Sequence, residues 1–259
     1  MDQPQNPVNW DTYRAAVWRR GRGGYLHPVS HIDPVQLDQL IGIERQKRAL
    51  VANTERFLAA KPANNALLWG SRGSGKSSLI KALLNRYALR GLRLIQFERD
   101  DLIHLPQVVD EIRDLRQRFI IFCDDLSFEQ GELSFRALKS VLEGSIELPA
   151  DNVRLYATSN RRHLLPESMA ENLAAEVVGG ELHLGDATEE KISLSDRFGL
   201  QLSFHPNSQD HYLALIDHYF NDYRGDRHLL HAEALRYALE RGSRSGRTAQ
   251  QFFNSRGES

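Results

Sequence analysis

The chain of 259 residues has one cysteine, Cys123, so no internal disulfide can form and a thiol-reducing compartment, the cytoplasm, is expected. Long apolar runs are missing: none approaches the roughly 20 residues that span a bilayer. The opening MDQPQNPVNW lacks the apolar stretch of a secretory leader, so neither export nor a membrane is expected. An excess of either charge is missing too. Lys and Arg number 33 against 34 Asp and Glu, a net charge of −1, and nothing in that balance demands a polyanionic partner. There is no solenoid-period repeat and no low-complexity tract. No H-E-x-x-H occurs, and none of the ten histidines lies near the cysteine, which argues against a zinc site. What is present is a hydrophobic fraction of 41%, enough for a real core. The length suits one large domain, or one large and one small.

The most informative stretch is LLWGSRGSGKSSLIKALL, residues 67–84. Gly70, Ser71, Arg72, Gly73, Ser74, Gly75, Lys76 and Ser77 fit G-x-x-x-x-G-K-[ST], with Ser78 following at the helix start. Phosphates need donors arranged in a concave nest, and glycines let the backbone turn tightly and aim its N–H groups inward. The helix that follows turns its positive dipole end toward the anion. In this reading Lys76 reaches the β- and γ-phosphates of ATP, and the Ser77 hydroxyl ligates Mg²⁺. The apolar run before the loop and the helical pattern after it supply the required context.

A magnesium–nucleotide site also needs acid at the end of a neighbouring strand. RFIIFCDD, residues 118–125, supplies it: Asp124 to hold Mg²⁺ and Asp125 to orient the attacking water. Glu129 is a rival for the second role. Ser127 and Gln130 also read as a helix start, which would make Glu129 a first-turn acid serving the dipole.

Along the chain, WDTYRAAVWRR reads as a short helix and VQLDQLIGIERQKRALVANTERFLAA as a longer one with Leu50, Phe57 and Leu58 on one face. Strands are expected at ALLW, 92–97, 118–125, 152–160 and 200–204, alternating with helices such as 76–89 and 106–117. That alternation gives an α/β fold, a parallel sheet of about five strands with helices on both faces. After His205 the pattern is all helical. Three parts follow: an N-terminal arm (1–34), an α/β nucleotide-binding domain (35–205) and a small helical lid (206–259). Residues 166–191, rich in Glu and Gly, read as an inserted hairpin or loops. Arg14, Arg19, Arg20 and Arg22 with Trp10, Trp18 and Tyr25 admit a nucleic-acid grip, although a docking arm or solvated face is favoured.

At this point the chain resembles the AAA+ ATPase superfamily of P-loop NTPases. LDQLIGIERQKRAL is similar to the segment that packs on adenine there, with Ile41 and Gly42 near the base. LYATSN resembles sensor 1, with Asn160 at a strand tip. SLSDRFGLQLSF resembles the box carrying the arginine finger, Arg197. GSRSGRTAQQF resembles sensor 2, with Arg247 on the γ-phosphate and Arg244 as runner-up. The combination of ANNALLWGSRGSGKSS, FIIFCDDLSFE and EEKISLSDRFGLQLSF is closer still to one bacterial family, domain of unknown function 815. The resemblance implies ATP and Mg²⁺ as cofactors, ATP hydrolysis with Lys76, Asp125, Asn160 and Arg197 as catalytic residues, and a ring of subunits, a hexamer, acting on an unknown protein partner. It departs from the superfamily at Asp125, where most members carry Glu. That favours slow turnover and leaves a nucleotide-gated assembly module as the alternative. No aromatic-Gly pore motif lies between Gln96 and Phe119, which argues against substrate threading. A small-molecule P-loop kinase is disfavoured because the helical part follows the last strand.

Overall fold

The computed structural model describes residues 7–21, 23–127, 133–143, 148–160, 176–178, 181–183 and 197–256. Strands β1 (Ala15–Arg19) and β2 (Tyr25–Pro28) are followed by α1 (Glu44–Leu58), β3 (Ala66–Gly70), α2 (Lys76–Tyr87), β4 (Leu92–Phe97), α3 (Leu105–Ile112), β5 (Arg118–Cys123), α4 (Leu133–Glu143) and β6 (Val153–Ser159). After these come β7 (Glu176–Val178), β8 (Glu181–His183), β9 (Leu200–Phe204), and helices α5 (Gln209–Tyr219), α6 (Arg227–Glu240) and α7 (Gly246–Arg256). The main sheet has seven strands in the order β2-β1-β4-β5-β6-β3-β9. All its pairings are parallel except β1 with β2.

The sheet forms where it does because its strands are apolar on both faces, as a covered parallel sheet requires. In β5 the side chains alternate. Phe119, Ile121 and Cys123 pack with α3 residues Leu105, Val108 and Ile112. Ile120 and Phe122 pack on the other face with Leu50 and Phe57 of α1 and Leu79, Ile80 and Leu83 of α2. Each of these fully buried side chains contributes about 1.5–3 kcal/mol relative to exposure. Three C-terminal helices enclose a separate core of Tyr212, Ile216, Phe220, Leu230, Ala234 and Phe252. Caps set two of them: Ser208 accepts from His211 N at 3.1 Å, and Asp226 accepts from His228 N at 2.8 Å.

Three sequence expectations need correction. The stretch over residues 10–20 holds a strand, Ala15–Arg19, after a turn, and no helix; with β2 it raises the strand count from about five to seven. Its burial follows period two: Ala16 and Trp18 join the core cluster on one face, Ala15 that on the other. Trp18 stacks on Phe97 with ring centroids 5.6 Å apart, and Trp10 meets Phe119 edge-on at 5.0 Å. Both indoles are core side chains, 7% and 3% exposed for Trp10 and Trp18, so they present no stacking platform for nucleic acid. Second, the helix expected from residue 35 begins only at Glu44, because Gly42 takes φ 76° and breaks it. Third, the helix expected to reach residue 117 ends at Ile112. The insertion at 166–191 does contain an antiparallel hairpin, β7 paired with β8. No helix among the described residues is long and apolar enough to cross a membrane.

Candidate functional site

The C-terminal ends of the interior strands β3, β5 and β6 meet at one end of the sheet, with the loop 70–75 between β3 and α2. At Gly70 the backbone takes φ 129°, and a Cβ there would lie 1.9 Å from the Phe204 carbonyl oxygen. Ser71 N donates to that same carbonyl at 3.0 Å, so the end of β9 shapes the loop. At Gly73 (φ 70°) a Cβ would lie 2.7 Å from Ser245 Cβ, and Gly73 O accepts from Gly246 N at 3.0 Å. The phosphate-loop geometry therefore holds only with these two residues as glycine.

Lys76 opens α2 and is 7% exposed. Its Nζ donates to Gly70 O and Ser71 O, both at 2.8 Å, and approaches Asn160 Oδ1 at 3.5 Å. Burial pulls its pKa below the ordinary lysine value; the Asp124 and Asp125 carboxylates oppose this, and Arg72 adds to the lowering. Ser74 Oγ donates to Ser71 O at 2.7 Å and tightens the loop.

Asp124 and Asp125 follow the last residue of β5. Asp124 Oδ1 accepts from Ser77 Oγ at 2.6 Å and from Thr158 Oγ1 at 2.5 Å. Thr158 Oγ1 in turn accepts from Asp125 N at 2.9 Å, and Thr158 O accepts from Leu126 N at 2.7 Å. Asp125 takes the left-handed conformation, φ 54°, which Asp tolerates better than most residues. Its Oδ1 accepts a hydrogen bond from Asn160 Nδ2. Ser77 and Asp124 thus place hard oxygen donors side by side at the loop. That set fits Mg²⁺, which takes one or two carboxylates and keeps several waters.

These groups line one cleft of about 920 Å³ between this end of the sheet and the three-helix unit. Its floor is Arg72, Gly73, Ser74, Gly75, Lys76, Ser77 and Ser78, with Asp124, Asp125 and Asn160 beside them. Ile41, Ile43, Leu215 and Tyr219 give it an apolar wall suited to a planar base, and Arg247 at the start of α7 lines it from the helical side. Gly42 lies in the same wall segment, between Ile41 and Ile43. Arg244 is exposed. Glu129 lies outside the described residues.

Arg197 is not brought to this cleft. It precedes β9 at the opposite end of the sheet and lines a second cleft of about 500 Å³ with Asn64, Asn65, Arg113 and Arg154. The length of β9 alone, five residues, puts about 16 Å between the two ends of the sheet.

Sequence reasoning missed Thr158, which joins Asp124 to Asp125. The signal was available: it stands two residues before Asn160, which directly follows β6, and alternation along an extended chain turns such a pair to the same side. It also missed Lys81, which lines the cleft and pairs with Asp33 at 3.1 Å, and His211. No local pattern marks these, because the partners lie far apart in sequence.

No curated protein sequence matches the chain. Solved structures share the fold. A Thermotoga maritima RuvB mutant superposes with a TM-score of 0.57 at 16% identity, over 86% of this chain and 65% of that one. A DNA replication initiation factor does so with a TM-score of 0.51 at 18% identity, over 86% of this chain and 64% of that one. The chain thus spans a little under two thirds of these relatives' lengths, and it has the α/β P-loop AAA+ fold. The model of the family described as "Protein of unknown function (DUF815)" matches residues 11–258, and the chain belongs to that family.

Proposed function

We propose that this protein binds ATP with Mg²⁺ and hydrolyses it, and that nucleotide state is coupled through the helical lid and a ring of subunits to the remodelling or loading of a protein partner. One observation carries the reading: Lys76, Ser77, Asp124, Asp125 and Asn160, drawn from three strand ends, converge on one cleft beside a glycine nest. Mg²⁺, when bound, supplies charge that neutralises the β- and γ-phosphates. The chain's own residues do the rest. Ser77 and Asp124 would hold the metal. Lys76 would exchange its two carbonyl partners for phosphate oxygens. Asp125 would orient the attacking water, with Asn160 fixing the carboxylate through the amide. Arg247 would meet the γ-phosphate from the lid.

Arg197, at the far end of the sheet, is suited to a neighbouring subunit's cleft rather than its own. A finger of that kind is worth roughly 10³–10⁵ in rate. Phosphate release from the wild type and from Lys76→Ala tests the hydrolysis reading. Equal rates, or no ATP bound by either, would overturn it.

A second reading, ATP-driven assembly with negligible turnover, is favoured by one feature. Asp125 is a methylene shorter than Glu and is already engaged by Asn160. Tight ATP binding without phosphate release, in the assembled state too, would select it.

A further inference from the structure

The helical unit touches the α/β part on both sides of the cleft. On the phosphate side Gly246 N donates to Gly73 O. On the opposite, apolar side Ile41 packs against the helical core, and His211 adds a polar contact, its Nε2 lying 3.1 Å from Ile41 O. A carbonyl only accepts, so Nε2 carries the hydrogen and donates. The ring also occupies the space over Gly42: a Cβ there would lie 1.9, 2.2 and 2.5 Å from Nε2, Cε1 and Cδ2.

Both backbones that meet here are held from behind. The segment leading to Ile41 is fixed by Lys47, whose Nζ donates to Leu37 O at 3.0 Å and Leu40 O at 2.8 Å. On the other side Ser208 caps His211 N at the start of α5, so the imidazole projects from a fixed point. His211 and Ile41 both line the cleft. A ring held between two fixed backbones sets how closely they approach.

We propose that His211 is a positioning residue of the nucleotide site: it docks the helical lid on the Ile41–Gly42 loop, and retention of a bound nucleoside triphosphate depends on that docking. The inference rests on the nucleotide-binding reading and adds a polar residue that registers the lid on the apolar side of the cleft, beside the packing of Ile41 on the helical core. Gly42 then has two reasons to be glycine, its φ and the ring above it.

The test uses the full chain with Mg²⁺ and a ribose-labelled fluorescent ATP analogue, following dissociation by chase with unlabelled ATP. His211→Ala is expected to release the analogue about three- to tenfold faster, the span one neutral hydrogen bond covers. His211→Gln, whose amide N–H can still donate, is expected to bring release back to within about twofold of wild type. Gly42→Ala is made in both backgrounds. The strain at φ 76° is common to both, so the difference isolates the clash with the ring, and Gly42→Ala should speed release less when His211 is already Ala. Wild-type binding with unchanged release in His211→Ala, or equal cost of Gly42→Ala in both backgrounds, overturns this inference alone. No binding by the wild type overturns the nucleotide reading and, with it, the role in retention.

Discussion

Replacing Thr158 with Val keeps the side chain's shape and removes its hydroxyl. Thr158 is 2% exposed and makes two side-chain bonds, donating to Asp124 and accepting from Asp125 N. A hydrogen bond to a carboxylate is worth about 1.5–3 kcal/mol, and a fully buried N–H left without its partner would cost about 1–3 kcal/mol. Asp124 and Asp125 are both exposed, so water replaces part of each loss. The total should fall near 2–4 kcal/mol. For a chain of this size that lowers Tm by roughly 5–15 °C. If 1.4 kcal/mol of it appears as misplacement of Asp124 and Asp125 in the transition state, phosphate release drops about tenfold. Thr158→Ser supplies the contrast: it keeps the hydroxyl and leaves a methyl-sized void, at about 1 kcal/mol. Differential scanning calorimetry and a coupled phosphate assay on both variants decide the matter. Should Ser prove as damaging as Val, or should Val match wild type in both assays, the bridging role of the hydroxyl would be wrong.

Further outcomes follow from the same geometry. Gly70→Ala drives a Cβ to 1.9 Å from the Phe204 carbonyl and should cost about 3 kcal/mol or more, read as loss of cooperative unfolding near the wild-type Tm. Lys76 has a pKa depressed by burial, so ATP affinity should fall as pH rises through that value, below the ordinary 10.5, while Lys76→Arg stays flat. Over the same window the nucleotide-free chain should gain stability, because deprotonation relieves a buried charge that costs most at lower pH. Mixing inactive Lys76→Ala with inactive Arg197→Ala should restore part of the phosphate release if Arg197 acts across a subunit boundary; no recovery at any ratio speaks against that arrangement.

Much of this architecture could be read from local pattern. The apolar runs at 118–123 and 200–204 and the Gly-Lys-Ser turn are each defined within a dozen residues, and each lies where it was expected. That Ser77, Asp124 and Asp125 stand at the ends of the loop and of β5 was legible for the same reason. What was not legible depends on partners remote in sequence. The first strand pairs with β4, so a segment of aromatic and β-branched residues that local spacing allows as a helix becomes sheet. Gly42 looked tolerable inside a helix until its φ and the imidazole above it were known. Thr158 is an ordinary strand residue until β5 is placed beside it.

The neighbour that completes the phosphate loop, Phe204, is encoded more than 130 residues downstream of Ser71, the residue whose N–H it accepts. During synthesis the loop's own strand therefore waits, with one side unpaired, until β9 leaves the ribosome. A nascent chain halted before that point has every residue of the G-x-x-x-x-G-K-S motif and none of the carbonyl scaffold at its mouth. If the loop holds a triphosphate as proposed, that competence is acquired late, when β9 pairs along β3 and becomes the last strand of the sheet.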